Sequence, residues 1–408
     1  MTAPQPDDVV LAGGVRTPFS RFGGALRAFS SVDLAAHAVA AALAAVGVDG
    51  ADVDDVVLGF SMPAEYAYDG SIPARSAMLK AGLPEHTRSL TIDRACCSSM
   101  TAIHLGYQAL RAGTADVVVA GGAENMGRSS FLMSAAGRWG HKRGALVLKD
   151  PLEAPGADIG GKPVSVDAGE VAVEHGVTRE DQDAWAVRSQ RRYRAAADRG
   201  FFAGEITPVA VPGPRGTSTE LAEDEEPRPD ATVESLARLR TVYGSPTVTP
   251  GNAPGLSTGA TAVVLTRRSW AAERGVPVLA TVRAVHSIAR APREIAVAPA
   301  PALAGVLTRA GWTLADLAVV EVNEAFAAVP LVTARVLAAG DAAVEAALLE
   351  RMNPNGGAVA LGHPTGASGA RLVLTAARQL RDTGGGRAAA ASCGGLGQAD
   401  AVALEVAG

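Results

Sequence analysis

The chain repeats itself, and that repeat limits its fold more than any other feature. Gly47-Val48-Asp49-Gly50-Ala51-Asp52-Val53-Asp54-Asp55-Val56-Val57 aligns without gaps with Gly311-Trp312-Thr313-Leu314-Ala315-Asp316-Leu317-Ala318-Val319-Val320-Glu321. Allowing small insertions, the same register sets 96–113 against 363–384, and Val117-Val118-Val119-Ala120-Gly121-Gly122 against Ala388-Ala389-Ala390-Ala391-Ser392-Cys393. Two copies of one supersecondary unit bury their faces by packing together, here about a pseudo-two-fold axis. In the first copy, 7–13 reads as a buried strand, 31–46 as a helix capped by Ser31 with Asp33 in its first turn, and 53–59 as the next strand. Strands alternating with helices predict an α/β fold with a mostly parallel sheet. Between the copies, 126–246 carries more Gly, Pro and charge, including six acidic residues from Glu220 to Asp230, and one helix pattern at 179–199. The expected division is an N-terminal half (1–125 plus 247–272), an inserted loop domain (126–246) that covers substrate and makes oligomer contacts, and a C-terminal half (273–408).

The duplication has a chemical consequence. It directs the N-termini of equivalent helices into one cleft, so Cys96 and His363 should meet although 267 positions separate them (363 minus 96). Cys96 lies in Thr91-Ile92-Asp93-Arg94-Ala95-Cys96-Cys97-Ser98-Ser99-Met100, between an extended and a helical stretch. A helix N-terminus lowers a thiol pKa and a nearby base completes a nucleophile. The amides at Ser98 and Ser99 can also meet a developing oxyanion. Cys97 points about 100° away once the helix has begun and reads as a packing residue. His363 follows the glycine-dense run Asn355-Gly356-Gly357-Ala358-Val359-Ala360-Leu361-Gly362, whose backbone can approach a ligand closely, and Pro364 suits a first helical turn. An exposed imidazole at that helix mouth would serve as general base. Cys393, before Gly394-Gly395-Leu396-Gly397, is the natural second acid/base, and Asn323 of Asn323-Glu324-Ala325-Phe326 can hold a water or polarise a thioester carbonyl. Gly121-Gly122-Ala123-Glu124 reads as a tight strand-to-helix turn and lacks the Lys and Ser/Thr of a phosphate loop.

Composition closes other routes. With 408 residues and 48% hydrophobic content the chain can bury two or three domains. Its 37 basic and 42 acidic residues, net −5, are spread along the chain, which argues against nucleic acid and anionic membrane as partners. Three cysteines with no Cys-x-x-Cys pair make neither a disulfide framework nor a metal site, and fit a reducing, cytoplasmic setting. Residues 1–8 lack the charged and apolar regions of a secretory signal, and the apolar stretch 34–48 is too short to span a membrane.

Taken in order, Arg16-Thr17-Pro18-Phe19, the Cys96 segment, Ala120-Gly121-Gly122-Ala123-Glu124-Asn125-Met126, Gly251-Asn252-Ala253, Asn323-Glu324-Ala325-Phe326, Gly362-His363-Pro364-Thr365-Gly366 and Cys393-Gly394-Gly395 make the chain resemble the thiolase family over nearly its whole length. The resemblance implies a duplicated five-layered α-β-α-β-α fold with an inserted loop domain, assembled as a homodimer or homotetramer. It implies an acyltransferase that cleaves 3-ketoacyl-CoA or condenses acyl-CoA with acetyl-CoA, with coenzyme A as co-substrate and no tightly bound cofactor. In the family pattern Cys96 would carry the acyl group, His363 activate it, Cys393 move the proton on the acetyl C2, and Asn323 hold a water in one oxyanion hole. The amides of Cys96 and Gly395 would form the other. Arg228, Ser235, Ala325 and Phe326 fall at positions that touch coenzyme A or substrate. The chain departs from the pattern at Pro254 (usually Ser), Ser257-Thr258 (Asn-Asp), Ser99 (Gly), Asp93 (Asn) and Val164-Ser165 (His-Met in short-chain members). Those changes keep a second reading open, a catalytically silent acyl-CoA-binding relative, and a third, a condensing enzyme for an unusual acyl group. A decarboxylating synthase of the same fold would carry Cys-His-His or Cys-His-Asn, and Cys393 speaks against it.

Overall fold

The computed structural model describes residues 4–70, 72–153 and 162–408. The opening Met1–Ala3 of the stretch read as lacking a leader, and part of the inserted segment, lie outside the described residues. Nine strands form one long path, Val319–Val322, Gly386–Gly394, Gln398–Val406, Ala280–Ala289, Val9–Arg16, Ser257–Arg267, Val117–Asn125, Asp55–Gly59 and Arg88–Ile92, each bonded to the next. The two halves meet at its middle through only a short register, Val10 with Thr281 and Leu11 with Ala280.

The repeat is visible residue by residue. Helix Ser31–Val46 ends on Gly47 at φ 69°, ψ 29°, and helix Pro299–Ala310 ends on Gly311 at φ 70°, ψ 29°, a left-handed conformation in which Cβ would be strained. Each glycine is followed by a 3₁₀ turn, Gly50–Asp52 or Leu314–Asp316, and then by a strand. Asp55–Gly59 pairs parallel with Val117–Asn125 as Val319–Val322 does with Gly386–Gly394. Beyond the last of these, the single bridge Val320 to Met352 stands where the first half has the full strand Arg88–Ile92.

Period-two burial converts these strands into layers. Val117 and Val119 face a core under helices Ser31–Val46 and Pro73–Lys80, whereas Val118 and Ala120 face a central core. Ala388 and Ala390 enter that same central core from the other half, while Ala389 and Ala391 face a third one under Pro299–Ala310 and Ala328–Ala338. Helices Ser98–Ala112 and Thr365–Asp382 fill the middle layer, giving the α-β-α-β-α order. A Cβ on Gly369 would sit 2.6 Å from the Met100 amide, so glycine permits this helix contact, and the Ala370 amide donates to Ser99 Oγ at 3.0 Å across it.

Three expectations change. The sheet is mixed, not mostly parallel, because Ser257–Arg267 and Gln398–Val406 return antiparallel beside the parallel strands. The first helix is capped by Ser30, whose side chain accepts from the Asp33 amide, while Ser31 is its first residue and bonds to buried Glu65. Gly121-Gly122-Ala123-Glu124 is no turn but part of strand Val117–Asn125; a Cβ on Gly122 would overlap the carbonyl oxygens of Gly366 and Gly59, so the glycines serve close backbone approach. The helix read at 179–199 is Arg179–Asp198, closed by a Thr178/Asp181 capping box.

Candidate active site

The cysteine helix begins at Ser98, and the turn before it is wound tightly. Ala95 sits at φ 49°, held by its amide donating to Asp93 Oδ1 at 3.0 Å, and Ser98 Oγ accepts from the Arg94 amide while donating to the Ala95 carbonyl. Cys96 follows this kink, half-buried, two residues ahead of the helix. Cys97 is fully buried and its thiol reaches the Ser392 carbonyl at 3.2 Å, while Ser392 Oγ donates to the Cys96 carbonyl at 3.0 Å. These two bonds lock the Cys96 turn to the end of strand Gly386–Gly394, and so to Cys393. Gly395 completes the junction, since a Cβ there would lie 3.4 Å from that of Ala95.

Asn323, at the end of Val319–Val322, is anchored by its amide donating to the Ala391 carbonyl at 2.9 Å. Its side chain places Nδ2 3.3 Å from His363 Nε2, and its proximity works against the burial that raises the Cys393 thiol. Its Oδ1 is buried and has no protein partner among the described residues. The histidine's tautomer follows from its surroundings. Ser368 Oγ donates to the Pro364 carbonyl, so it accepts from His363 Nδ1–H at 2.7 Å, leaving Nε2 as the unprotonated nitrogen facing Asn323. Asn323 and His363 are thus bonded to each other, while the Ser392 bonds hold the Cys96 turn to the strand that carries Cys393, whose thiol feels both Cys96 and Asn323.

Electrostatics set the resting state. Burial, and then the charges of Glu124 and Asp93, push the Cys96 thiol up to about 12, against a bond to its own backbone that lowers it. Burial and the proximity of Cys96 raise Cys393 as well. Burial, then the positive charge of Arg371, pushes His363 down to about 3. At neutral pH the site thus holds neutral thiols and a neutral imidazole. Cys96 lies just ahead of a helix that begins at Ser98, as expected, but two expectations are corrected: burial raises the thiol where the helix start was expected to lower it, and the His363 ring is buried instead of exposed.

Two carboxylates support the site. Glu124, fully buried, accepts from Ser61 N and Oγ, Met62 N, Thr365 Oγ1 and Gly366 N, tying strand Val117–Asn125 to the start of the histidine helix Thr365–Asp382; burial raises it to about 7. Glu324 accepts from Trp185 Nε1, Ser189 Oγ, Asn353 Nδ2 and Val359 N, joining the Asn323 turn to helix Arg179–Asp198 of the inserted segment. Gly357 and Gly356 are glycines because a Cβ would strike Glu324 and that same helix, so these two serve close packing. The sequence signal for both acids was their place inside motifs noticed for other residues.

Of the remaining positions, Ala325 is buried and Phe326 packs half-buried on the C-terminal core. Arg228 is exposed, with its guanidinium on the Pro250 carbonyl at 2.9 Å, and exposed Ser235 closes a capping box with Thr232. Both lie on the surface of the inserted segment, away from the four central residues' hydrogen bonds. No group of three or more His, Cys, Asp or Glu among the described residues could hold a metal ion, and no helix there is long and apolar enough to cross a membrane.

The profile of the thiolase N-terminal domain matches residues 9–269, and that of the thiolase C-terminal domain matches 276–406. The chain belongs to the thiolase family. Among relatives of this thiolase, a beta-ketoadipyl-CoA thiolase of Pseudomonas aeruginosa is 42% identical over 98% of this chain and 99% of its own. An acetyl-CoA acetyltransferase of the same organism is 38% identical over 97% and 99%. Human mitochondrial 3-ketoacyl-CoA thiolase in complex with CoA superposes with a TM-score of 0.90 at 34% identity, covering all of both chains.

Proposed function

We propose that this thiolase catalyses thiolytic cleavage of a 3-ketoacyl-CoA and its reversal, Claisen condensation of an acyl-CoA with acetyl-CoA, through an acyl group on Cys96. The observation that carries the assignment is Asn323 bonded to His363 next to a Cys393 thiol that feels both Asn323 and Cys96. In this reading the neutral Cys96 thiol and the neutral His363 imidazole react as a pair: His363 Nε2 takes the Cys96 proton as sulfur attacks the C3 carbonyl, so no resting thiolate is needed. The C2–C3 bond then breaks, its electron pair passes to C2 as an enolate, and the Cys393 S–H protonates C2 to release acetyl-CoA. The Cys393 thiolate left by that step takes the proton of the coenzyme A thiol, whose sulfur attacks the acyl-Cys96 thioester, and the His363 imidazolium returns its proton to the departing Cys96 sulfur. Asn323, with one side-chain oxygen uncommitted, suits a water that meets the enolate oxygen, and the amides of Cys96 and Gly395 suit the tetrahedral intermediate.

In this reading 126–246 is the loop domain between the halves 1–125 plus 247–272 and 273–408, and Arg228, Ser235, Ala325 and Phe326 contact coenzyme A. The exposed apolar side chains Phe131, Met133, Trp139 and Val147, and the edge strand Arg88–Ile92, support a homodimer or homotetramer. Three free cysteines support a cytoplasmic setting. The test is thiolysis: with coenzyme A and 3-ketoacyl-CoAs of several lengths, loss of ketoacyl thioester and appearance of acetyl-CoA are expected. Acyl loading without turnover on any substrate would favour the silent acyl-CoA-binding reading instead.

A further inference from the structure

The acidic run of the inserted segment reaches the histidine. Glu226 is buried, and its carboxylate lies over two glycines: a Cβ on Gly255 would come within 2.8 Å of Oε2, and one on Gly362 within 3.0 Å of Cγ. Gly362, at φ 103°, is the break between helix Ala358–Leu361 and the histidine helix. The next amide, that of His363, falls outside both helical ladders and donates to Ser257 Oγ at 2.8 Å. Ser257 is fully buried, and its hydroxyl hydrogen has two acceptors, the Gly255 carbonyl at 2.9 Å and Glu226 Oε1 at 3.2 Å. Either choice turns an oxygen lone pair toward the His363 amide.

We propose that Ser257, covered and held by Glu226, is a positioning residue that fixes the His363 backbone and thereby the distance of Nε2 from Asn323 and Cys96. The proposal rests on the thiolase reading, in which His363 is the base. Among the described residues the side chain of His363 bonds Ser368, on its own helix, and Asn323; its backbone bond to Ser257 joins it to the other half of the molecule, next to the Glu124 bonds at Thr365 and Gly366. Removing that acceptor leaves a buried N–H unpaired at a hinge that glycine makes deformable. Arg228, Arg21 and Glu225 are the other charged groups near Glu226, and Arg228 lies two residues along the same strap, so the segment expected to touch coenzyme A also grips the histidine.

The experiment compares Ser257→Ala, Ser257→Thr, Glu226→Ala and Glu226→Gln in steady-state thiolysis, with thermal melts of each. Displacing a catalytic group by an ångström lowers turnover by about ten- to a hundredfold. Ser257→Ala should lose kcat by that factor with KM for coenzyme A within about twofold, and Ser257→Thr, which keeps the oxygen, should recover most of it. Glu226→Gln should stay near wild type while Glu226→Ala loses several-fold. Wild-type kcat in Ser257→Ala, or equal loss in Ser257→Ala and Ser257→Thr, overturns the proposal. If Ser257→Ala does not fold, the Glu226 pair decides: equal kcat in Glu226→Ala and Glu226→Gln overturns it. Failure of the thiolase reading is seen separately, as wild-type protein that loads no acyl group.

Discussion

Cys393→Ser separates the two thiols by the step each serves. Cys393 is fully buried at the end of strand Gly386–Gly394, and a serine hydroxyl fits the same space. Folding should therefore change little, whereas chemistry should change greatly. Burial already lifts the Cys393 thiol above its ordinary value, and in the proposed mechanism it gives up a proton only as a carbanion forms beside it. A serine hydroxyl is a far weaker acid, so the contribution of general acid/base catalysis, about 10² to 10⁴ in rate, is largely lost. That corresponds to about 2.7 to 5.4 kcal/mol in the barrier of carbon–carbon cleavage or formation. Transfer of an acyl group from a simple acyl-CoA to Cys96 moves no proton at carbon and should proceed nearly as in wild type. Intact mass after incubation with acyl-CoA reports the first step, and ketoacyl-CoA absorbance with coenzyme A reports the second. Wild-type cleavage rates in the variant, or loss of loading together with cleavage, would refute the division of labour.

Glu124→Gln should flatten the pH dependence of stability. Glu124 rises from its ordinary 4.5 to about 7 in the folded protein, so its favourable contribution is present below pH 4.5 and is lost as pH climbs through 7. Between pH 5 and pH 8 this amounts to about 2 to 3 kcal/mol, which urea unfolding of wild type against the variant should show as a closing gap; parallel curves would contradict it. Gly122→Ala drives a methyl into the Gly366 and Gly59 carbonyls, neither of which can rotate away, and should destabilise by about 3 kcal/mol, read as a lowered melting midpoint; an unchanged melt would contradict the close approach. Val164 packs on the C-terminal core, Ser165 and Ser99 are buried and Pro254 is half-buried, all at positions where the chain departs from the short-chain pattern. A longer, branched or otherwise modified 3-ketoacyl-CoA should therefore exceed acetoacetyl-CoA in kcat/KM across a panel, each altered contact contributing about 1 to 3 kcal/mol of discrimination; acetoacetyl-CoA ranking first would mark the substitutions as neutral.

The duplicated architecture was legible because local signals recur at equivalent places: Gly47 and Gly311 end equivalent helices in the same left-handed geometry, and alternating Val or Ala marks strands buried on both faces. Cys96, Cys393, Asn323 and His363 were legible as reactive types at strand ends and helix starts. What stayed hidden depends on distant partners. Asp224, Glu225 and Glu226 read only as part of an acidic run in the inserted loop domain, yet Asp224 pairs with fully buried Arg16, Glu225 receives the Ala25 amide, and Glu226 holds Ser257. Nothing local in the sequence names those receptors. The rise of the Cys96 thiol was equally hidden, because desolvation is a property of the assembled layers, whereas the helix start that would lower it is visible in the sequence. The antiparallel return of Ser257–Arg267 depends on a pairing with Val117–Asn125 that spans the whole inserted segment.

The central claim is that Cys96 carries the acyl group, and one measurement addresses it directly. Protein incubated with an acyl-CoA, quenched in acid and digested, should yield the acyl mass increment on the peptide containing Cys96 and Cys97, with fragmentation placing it on Cys96 and with its loss on adding coenzyme A. Acyl mass on Cys393 or Cys97, or on no cysteine while ketoacyl-CoA is still cleaved, would contradict the account.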